Sequence, residues 1–540
     1  EEDSKGSKKS KEGDSDEEDK SKEGSPASGR EGGENGSFSD YEPESKTDTN
    51  FRNNENELVS DEAKPYKYLN IPTNIDLKNV IVNFSDVYEG YREHWESNEN
   101  NRHGTTGEEM LTYSTEIFKD FRNKNKKVVE YLAKEFEMKK AAKEHSRTAT
   151  ANSGILDSER LHTYKYNEHL FKKLTITPDG KNHGLVMFVD WSGSMSANMK
   201  GTIEQMIILV MFCKRVNIPF EVYAFSDSYS RHDDSVEGVD SNGYLIGKGG
   251  PGYSDVAITR FNLLNLFSSR MRAKQLHEAY IYMTATAEYY SRNYSYGSRE
   301  VYVTIPDRMQ LGGTPLDNTL FMSFSVMRDF VKKNQVDVIN SIFLTDGDSH
   351  TNNTYWKAPE TDEAGYTTDK GHFDINGENV ILRDPVSKKQ IKVTKSGNYG
   401  RREMTSTLVK FLREVFDINI VNFFLIGKMR RWDMMNHIDE MKSIKNDKTL
   451  TDADDSKFED DAEILLKKFR KDKYIIAPEA CGFNEQYLIL GGKNLEVHEE
   501  QLEVAEDASV AQLARAFKKF SSGKLEKRKL LSRFIDMVAA

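Results

Sequence analysis

The sequence predicts an α/β protein: a mainly parallel central sheet flanked by helices, preceded by a helical N-terminal region and a disordered acidic tail. Three observations lead there. From residue 183 onward, apolar segments with strand character alternate with segments of helical period. The first of these, Leu185-Val186-Met187-Phe188-Val189, is a continuous apolar run, the pattern of a strand covered on both faces. The first 50 residues, by contrast, hold 16 Asp/Glu and 8 Lys/Arg, a net charge of −8, and no Leu, Ile, Val, Met or Trp. Such a stretch cannot bury enough apolar surface to offset its chain entropy.

Each element follows in order. Residues 1–60 are the expected tail. Residues 65–150 read as a helical segment. Between 108 and 143, Leu111, Ile117, Phe118, Phe121, Val128, Val129, Leu132 and Phe136 recur at helical spacing, with no Gly or Pro. One long helix fits, and so do two joined near Asn123–Asn125. Residues 151–182 read as a connector. Leu185-Val186-Met187-Phe188-Val189 is then a buried strand, 201–216 a helix, 219–225 a second strand, 316–333 a helix and 338–344 a third strand. A helix over 404–415 and strands at 420–426 and 487–490 complete the alternation. This body spans 183–522, with insertions at 228–310 and 349–400. The first insertion predicts a helix over 261–288, and the second a β-hairpin from Val380 to Val393. Residues 509–540 read as a terminal helix pair, its last member over 523–540.

Composition narrows the function classes. The whole chain carries 76 basic and 88 acidic side chains, a net −12, so residues outside the first 50 carry only −4. An acidic chain disfavours general nucleic-acid binding. Mean hydropathy is −0.71, and no run of about 18 apolar residues exists to span a membrane. No secretory h-region opens the sequence, and two cysteines, Cys213 and Cys481, suit a reducing compartment. The expected location is therefore the cytoplasm. There is no G-x-x-x-x-G-K-[ST] loop, no H-E-x-x-H and no G-x-S-x-G, so no ATPase, zinc-protease or hydrolase frame. The G-K-G-G-P-G run at 247–252 lacks the strand-to-helix context of a phosphate cradle.

One constellation carries chemistry. The first strand ends in Asp190-Trp191-Ser192-Gly193-Ser194, a D-x-S-x-S turn. A carboxylate and two hydroxyls on one turn can converge on a hard cation, Mg²⁺, Mn²⁺ or Ca²⁺. Gly193 is expected to let backbones approach closely. Leu311-Gly312-Gly313-Thr314-Pro315 offers the Thr314 hydroxyl where a helix opens, and Leu344-Thr345-Asp346-Gly347 offers the Asp346 carboxylate where the third strand ends. Each piece alone has a plainer reading: the serines as helix caps, Asp346-Gly347 as a turn. Together they place two carboxylates and three hydroxyls at strand C-terminal ends, where open α/β sheets bind ligands.

Asp190-x-Ser192-x-Ser194, Thr314 and Asp346, in that order, resemble the metal-ion-dependent adhesion site of von Willebrand factor A domains. The resemblance covers roughly 183–520 and implies a Rossmann-like, mainly parallel sheet. It also implies that Ser192, Ser194 and Thr314 touch the metal, with Asp190 and Asp346 acting directly or through water. A narrower resemblance joins an acidic tract, a helical segment, the Gly154-Ile155-Leu156-Asp157 to Arg160-Leu161 connector and a C-terminal A domain. That architecture is similar to the CobT-type subunit of aerobic cobaltochelatase and to its relatives in tailed-phage genomes. The Gly312-Gly313-Thr314-Pro315 loop and the two insertions depart from the chelatase pattern.

Two functional expectations follow from the resemblance. The first is a metal-dependent interaction subunit, non-catalytic by itself, whose cation captures an acidic side chain of a protein partner. The implied partner is a MoxR/CobS-type AAA+ ATPase. The second is the A-domain subunit of an ATP-dependent cobalt chelatase in cobalamin biosynthesis.

Overall fold

The computed structural model describes residues 66–97, 105–147, 149–159, 161–166, 171–176, 182–227, 238–292, 301–350, 353–357, 371–393, 401–434, 453–492 and 495, apart from short gaps at 241, 249, 251, 376–378 and 432. The tail over 1–60 and the terminal helices over 509–540 lie outside these residues.

The first described element is not a helix but a strand, β1 (Tyr66–Asn70), followed by the two-residue β2 (Ile81–Val82). The helices α1 (Phe84–Ser97) and α2 (Gly107–Arg147) come next. The second is a single helix of 41 residues, which decides between the two alternatives the spacing left open. At its start Thr106 and Glu109 cap each other: the Glu109 amide donates to the Thr106 hydroxyl at 3.3 Å, and the Thr106 amide to the Glu109 carboxylate at 2.8 Å. The expected connector contains an antiparallel pair, β3 (Ala149–Leu156) and β4 (Phe171–Ile176).

The body then runs β5 (His183–Asp190), α3 (Met199–Arg215), β6 (Phe220–Ser226), β7 (Val256–Ala257), β8 (Asn262–Ser268), α4 (Ala273–Arg292), α5 (Leu316–Asn334) and β9 (Val338–Thr345). It continues with β10 (Thr354–Lys357), β11 (Gly371–Asp374), β12 (Asn379–Arg383), β13 (Gln390–Lys392), α6 (Arg401–Phe416), β14 (Asn419–Ile426), α7 (Ala453–Asp472), β15 (Tyr474–Pro478) and β16 (Glu485–Leu490). The result is a mixed α/β fold with several parallel strands. No described helix is long and apolar enough to cross a membrane.

One correction concerns the helix expected over 261–288. Its first third is the strand β8, and the helix begins only at Ala273. Phe261, Leu263, Leu264, Leu266 and Phe267 form a short apolar run whose period does not separate strand from buried helix. Pairing with β6 decided the matter, antiparallel from Ser226↔Asn262 to Glu221↔Ser268. The expected hairpin is present as β12 and β13, and β1 adds a parallel third strand from 313 residues upstream, Lys67 opposite Val380.

Eight strands form one sheet in the order β15-β16-β14-β9-β5-β6-β8-β2. Its junctions are parallel except at β15·β16 and β6·β8. Alternate residues of β5 enter two separate cores, as the period of a strand requires. Leu185, Met187 and Val189 pack with α1, α2, α3 and α4 residues such as Tyr91, Phe118, Phe212 and Met283. Val186 and Phe188 pack with Phe321 and Phe324 of α5 and Leu408 and Phe411 of α6. β5 is thus buried along nearly its whole length in the middle of the sheet. That burial is what holds its C-terminal residue, Asp190, in a set place.

Candidate metal centre

β5 lies between β6 and β9, and both neighbours run parallel to it. All three strands therefore end on the same edge of the sheet. Asp190 is the last residue of β5 and is fully buried. Trp191 follows, also fully buried, its indole N–H donating to the Met309 carbonyl at 2.9 Å. That anchor turns the chain sharply into a short 3-10 turn, Gly193–Ala197, before α3 begins.

The loop carrying Thr314 is laid against this turn by backbone bonds. Gly193 N–H donates to the Gly312 carbonyl at 2.9 Å, and Gly312 N–H to the Trp191 carbonyl at 3.0 Å. Ser192 and Gly312 thus form a one-residue parallel bridge. The close approach expected at Gly193 is not where the crowding lies. A Cβ there would come no nearer than 3.9 Å to the Gly312 carbonyl. At Gly313 a Cβ would fall 2.6 Å from His350 Cε1 and 3.0 Å from Asp227 Oδ2, so a side chain there would push the His350 ring out of place.

Several of these side chains meet. Ser192 and Ser194 hydroxyls lie 2.9 Å apart, and the Ser194 hydroxyl donates to Asp346 Oδ1 at 2.6 Å. A Cβ built on Gly347 would lie 3.8 Å from the Thr314 hydroxyl, which places that hydroxyl over the Asp346–Gly347 turn. Asp190, Ser192 and Thr314 are buried, Asp346 is half-buried and Ser194 is exposed, so the cluster opens to solvent on the Ser194 side.

Sequence reasoning missed four neighbours. The Thr345 hydroxyl donates to Asp190 Oδ2 at 2.6 Å, and the Asn198 amide reaches Asp346 Oδ2 at 3.5 Å. Asp227 and His350 flank the Gly312–Thr314 loop, taking hydrogen bonds from Gly313 and Thr314 N–H, each at 2.6 Å. Thr345 adjoins Asp346, and Asp227 directly follows a strand, so a survey of strand C-terminal ends would have flagged both. Asn198 and His350 left no such signal.

The electrostatics are those of a site short of positive charge. Burial pushes the Asp190 carboxyl up to about 7, against the hydrogen bonds from Thr345 and Ser192, and the nearby Asp346 charge adds to the rise. Burial likewise raises Asp346, opposed by Ser194 and Asn198. Asp190 Oδ1 is buried with no hydrogen-bond partner. An orphaned carboxylate oxygen costs more than an unmade ordinary hydrogen bond. Among the described residues, no group of three or more His, Cys, Asp or Glu side chains gathers as a metal cluster. The five residues here bring only two carboxylates, and their other donors are hydroxyls. An all-oxygen set of this kind fits Mg²⁺, Mn²⁺ or Ca²⁺ and does not fit a thiophilic metal.

No protein-family model matches the chain, and no curated protein matches it. Among solved structures, the pilus adhesin SpaC from Lactobacillus rhamnosus GG is similar at 15% identity and a TM-score of 0.25, over 54% of this chain and 31% of that one. Three N-terminal domains of the type V pili tip protein Mfa5 from Porphyromonas gingivalis are similar at 11% identity and a TM-score of 0.22, over 45% of this chain and 42% of that one. The chain therefore spans less than half the length of either structure.

Proposed function

We propose that this chain is a divalent-cation-dependent protein-interaction subunit built on a von Willebrand factor A-like domain with a mainly parallel central sheet. One observation carries the proposal: the buried, unpartnered Asp190 Oδ1 sits in a cluster that already joins Ser192, Ser194 and Asp346. Asp190, Ser192, Ser194, Thr314 and Asp346 would hold the ion, with Mg²⁺ the first candidate. A bound divalent cation supplies a Lewis-acidic position that an acidic side chain of a partner can occupy.

The chain's own residues prepare that position. Thr345 holds one oxygen of Asp190, which leaves the other for the ion. Asn198 steadies Asp346 and also accepts from the Gly492 amide at 2.6 Å, tying the site to the segment after β16. Ser194 lies on the exposed side, where a partner's carboxylate would arrive. The CobT-like architecture makes a MoxR/CobS-type AAA+ ATPase the proposed partner, in the cytoplasm.

Calorimetric titration of the full chain with MgCl₂ tests the reading. One site is expected in the wild type and none in Asp190→Ala. Absence of heat and of any thermal stabilisation with wild-type protein would reject it. Magnesium-dependent co-purification with the ATPase, abolished by Asp346→Ala, is the second check.

A further inference from the structure

We propose that Asp227 and His350 are positioning residues that set the Gly312–Thr314 loop so that Thr314 is ready for the cation. The inference rests on the metal-site reading above and adds to it two residues outside the ligand set.

Asp227 follows β6 and His350 follows β9, the two strands on either side of β5. Their side chains meet above the loop, His350 Nε2 lying 3.3 Å from Asp227 Oδ2. Each then takes one backbone N–H of the loop. Asp227 Oδ1 accepts from Gly313 at 2.6 Å, and His350 Nδ1 accepts from Thr314 at 2.6 Å. Because Nδ1 accepts, the ring proton sits on Nε2, where it faces Asp227. A further bond closes the arrangement: His350 N–H donates to the Thr314 carbonyl at 3.2 Å. Thr314 is thus held at both its amide and its carbonyl by one residue.

Two physical consequences follow. Successive loop N–H groups carry partial positive charge, and tying them to Asp227 and His350 commits them to partners other than the cation's oxygen donors. Fixing the loop before binding also removes an ordering cost that binding would otherwise bear. The absence of a side chain at Gly313 belongs to the same device, since a Cβ there would displace the His350 ring and crowd Asp227. Asp227 is largely buried while His350 is about half exposed, its side chain at 45%. The pair is therefore not a core feature that folding alone would demand. Hydrogen-bonded residues behind metal ligands typically change affinity by about 10- to 100-fold when removed.

The test is Mg²⁺ titration of the full chain as wild type, His350→Ala, His350→Asn, Asp227→Ala and the double alanine variant, with urea unfolding of each in EDTA. His350→Ala and Asp227→Ala are expected to weaken Mg²⁺ binding by about 10-fold or more. His350→Asn, which keeps an acceptor near the Nδ1 position, should recover most of the loss. The double variant should be little worse than the weaker single one, since the two side chains act as a unit. A wild-type site with affinity unchanged in both alanine variants overturns this inference alone. A weakening that disappears once each variant's unfolded fraction is subtracted also overturns it. No wild-type site at all overturns the metal reading and this inference together.

Discussion

Asp190→Asn should make the metal-free protein more stable at alkaline pH and less responsive to magnesium. Asp190 is fully buried, and burial raises its carboxyl from an ordinary 3.8 to about 7. A carboxyl raised by folding contributes its full stability below the unfolded value, and loses it as pH climbs through the folded value. With about 1.4 kcal/mol per unit, ionising Asp190 in the folded protein costs about 4 kcal/mol by pH 8. The asparagine amide has the same shape, can accept from Thr345, and does not titrate. In EDTA, urea unfolding at intervals from pH 4 to 8 should therefore show a gap in favour of the variant, near zero at pH 4 and about 4 kcal/mol at pH 8. Magnesium at about 100 times its Kd should then restore about 2.7 kcal/mol to the wild type and nothing to the variant. A gap that does not change with pH, or equal stabilisation of both proteins by magnesium, would refute the reasoning.

Three further outcomes are expected. Ser194→Ala removes an exposed hydroxyl that bonds Asp346; it should weaken magnesium binding in calorimetry while changing urea stability in EDTA by about 0.5 kcal/mol or less. Gly184→Ala places a Cβ 2.5 Å from Phe330 Cε1 and 3.1 Å from Val336 Cγ1, and this overpacking should cost about 1–3 kcal/mol in urea unfolding, with magnesium affinity unchanged. Arg328→Met takes two guanidinium bonds of 2.6 Å from the buried Asp384 and leaves its charge with only the Val386 and Ser387 amides; it should destabilise by about 3 kcal/mol, and adding Asp384→Asn should recover much of that loss.

Much of the framework was legible along the chain. Val186 to Val189 is an apolar run, Ile339 to Leu344 and Ile420 to Leu425 are mostly apolar, and each is part of a strand of the large sheet. α3, α5 and α6 sit within two or three residues of where their spacing put them, apart from fraying at the ends. The D-x-S-x-S turn could be located because carboxylate and hydroxyls lie within five residues, and local chemistry needs no partner to be read.

What sequence could not reach was pairing between distant segments. β1 and β2 are short, polar-edged pieces that count as strands only because β12 and β8 supply their hydrogen bonds. β8 reads as helix in sequence because a short apolar run satisfies either period until a neighbouring strand chooses between them. At the site, the five oxygen-bearing residues and their order could be read along the chain. That Thr345 takes one oxygen of Asp190 while the other has no hydrogen-bond partner, and that Asp227 and His350 clasp the Thr314 loop from both sides of β5, comes from long-range packing. A residue's period and charge are local properties, whereas a buried oxygen's lack of a partner is a property of everything packed around it.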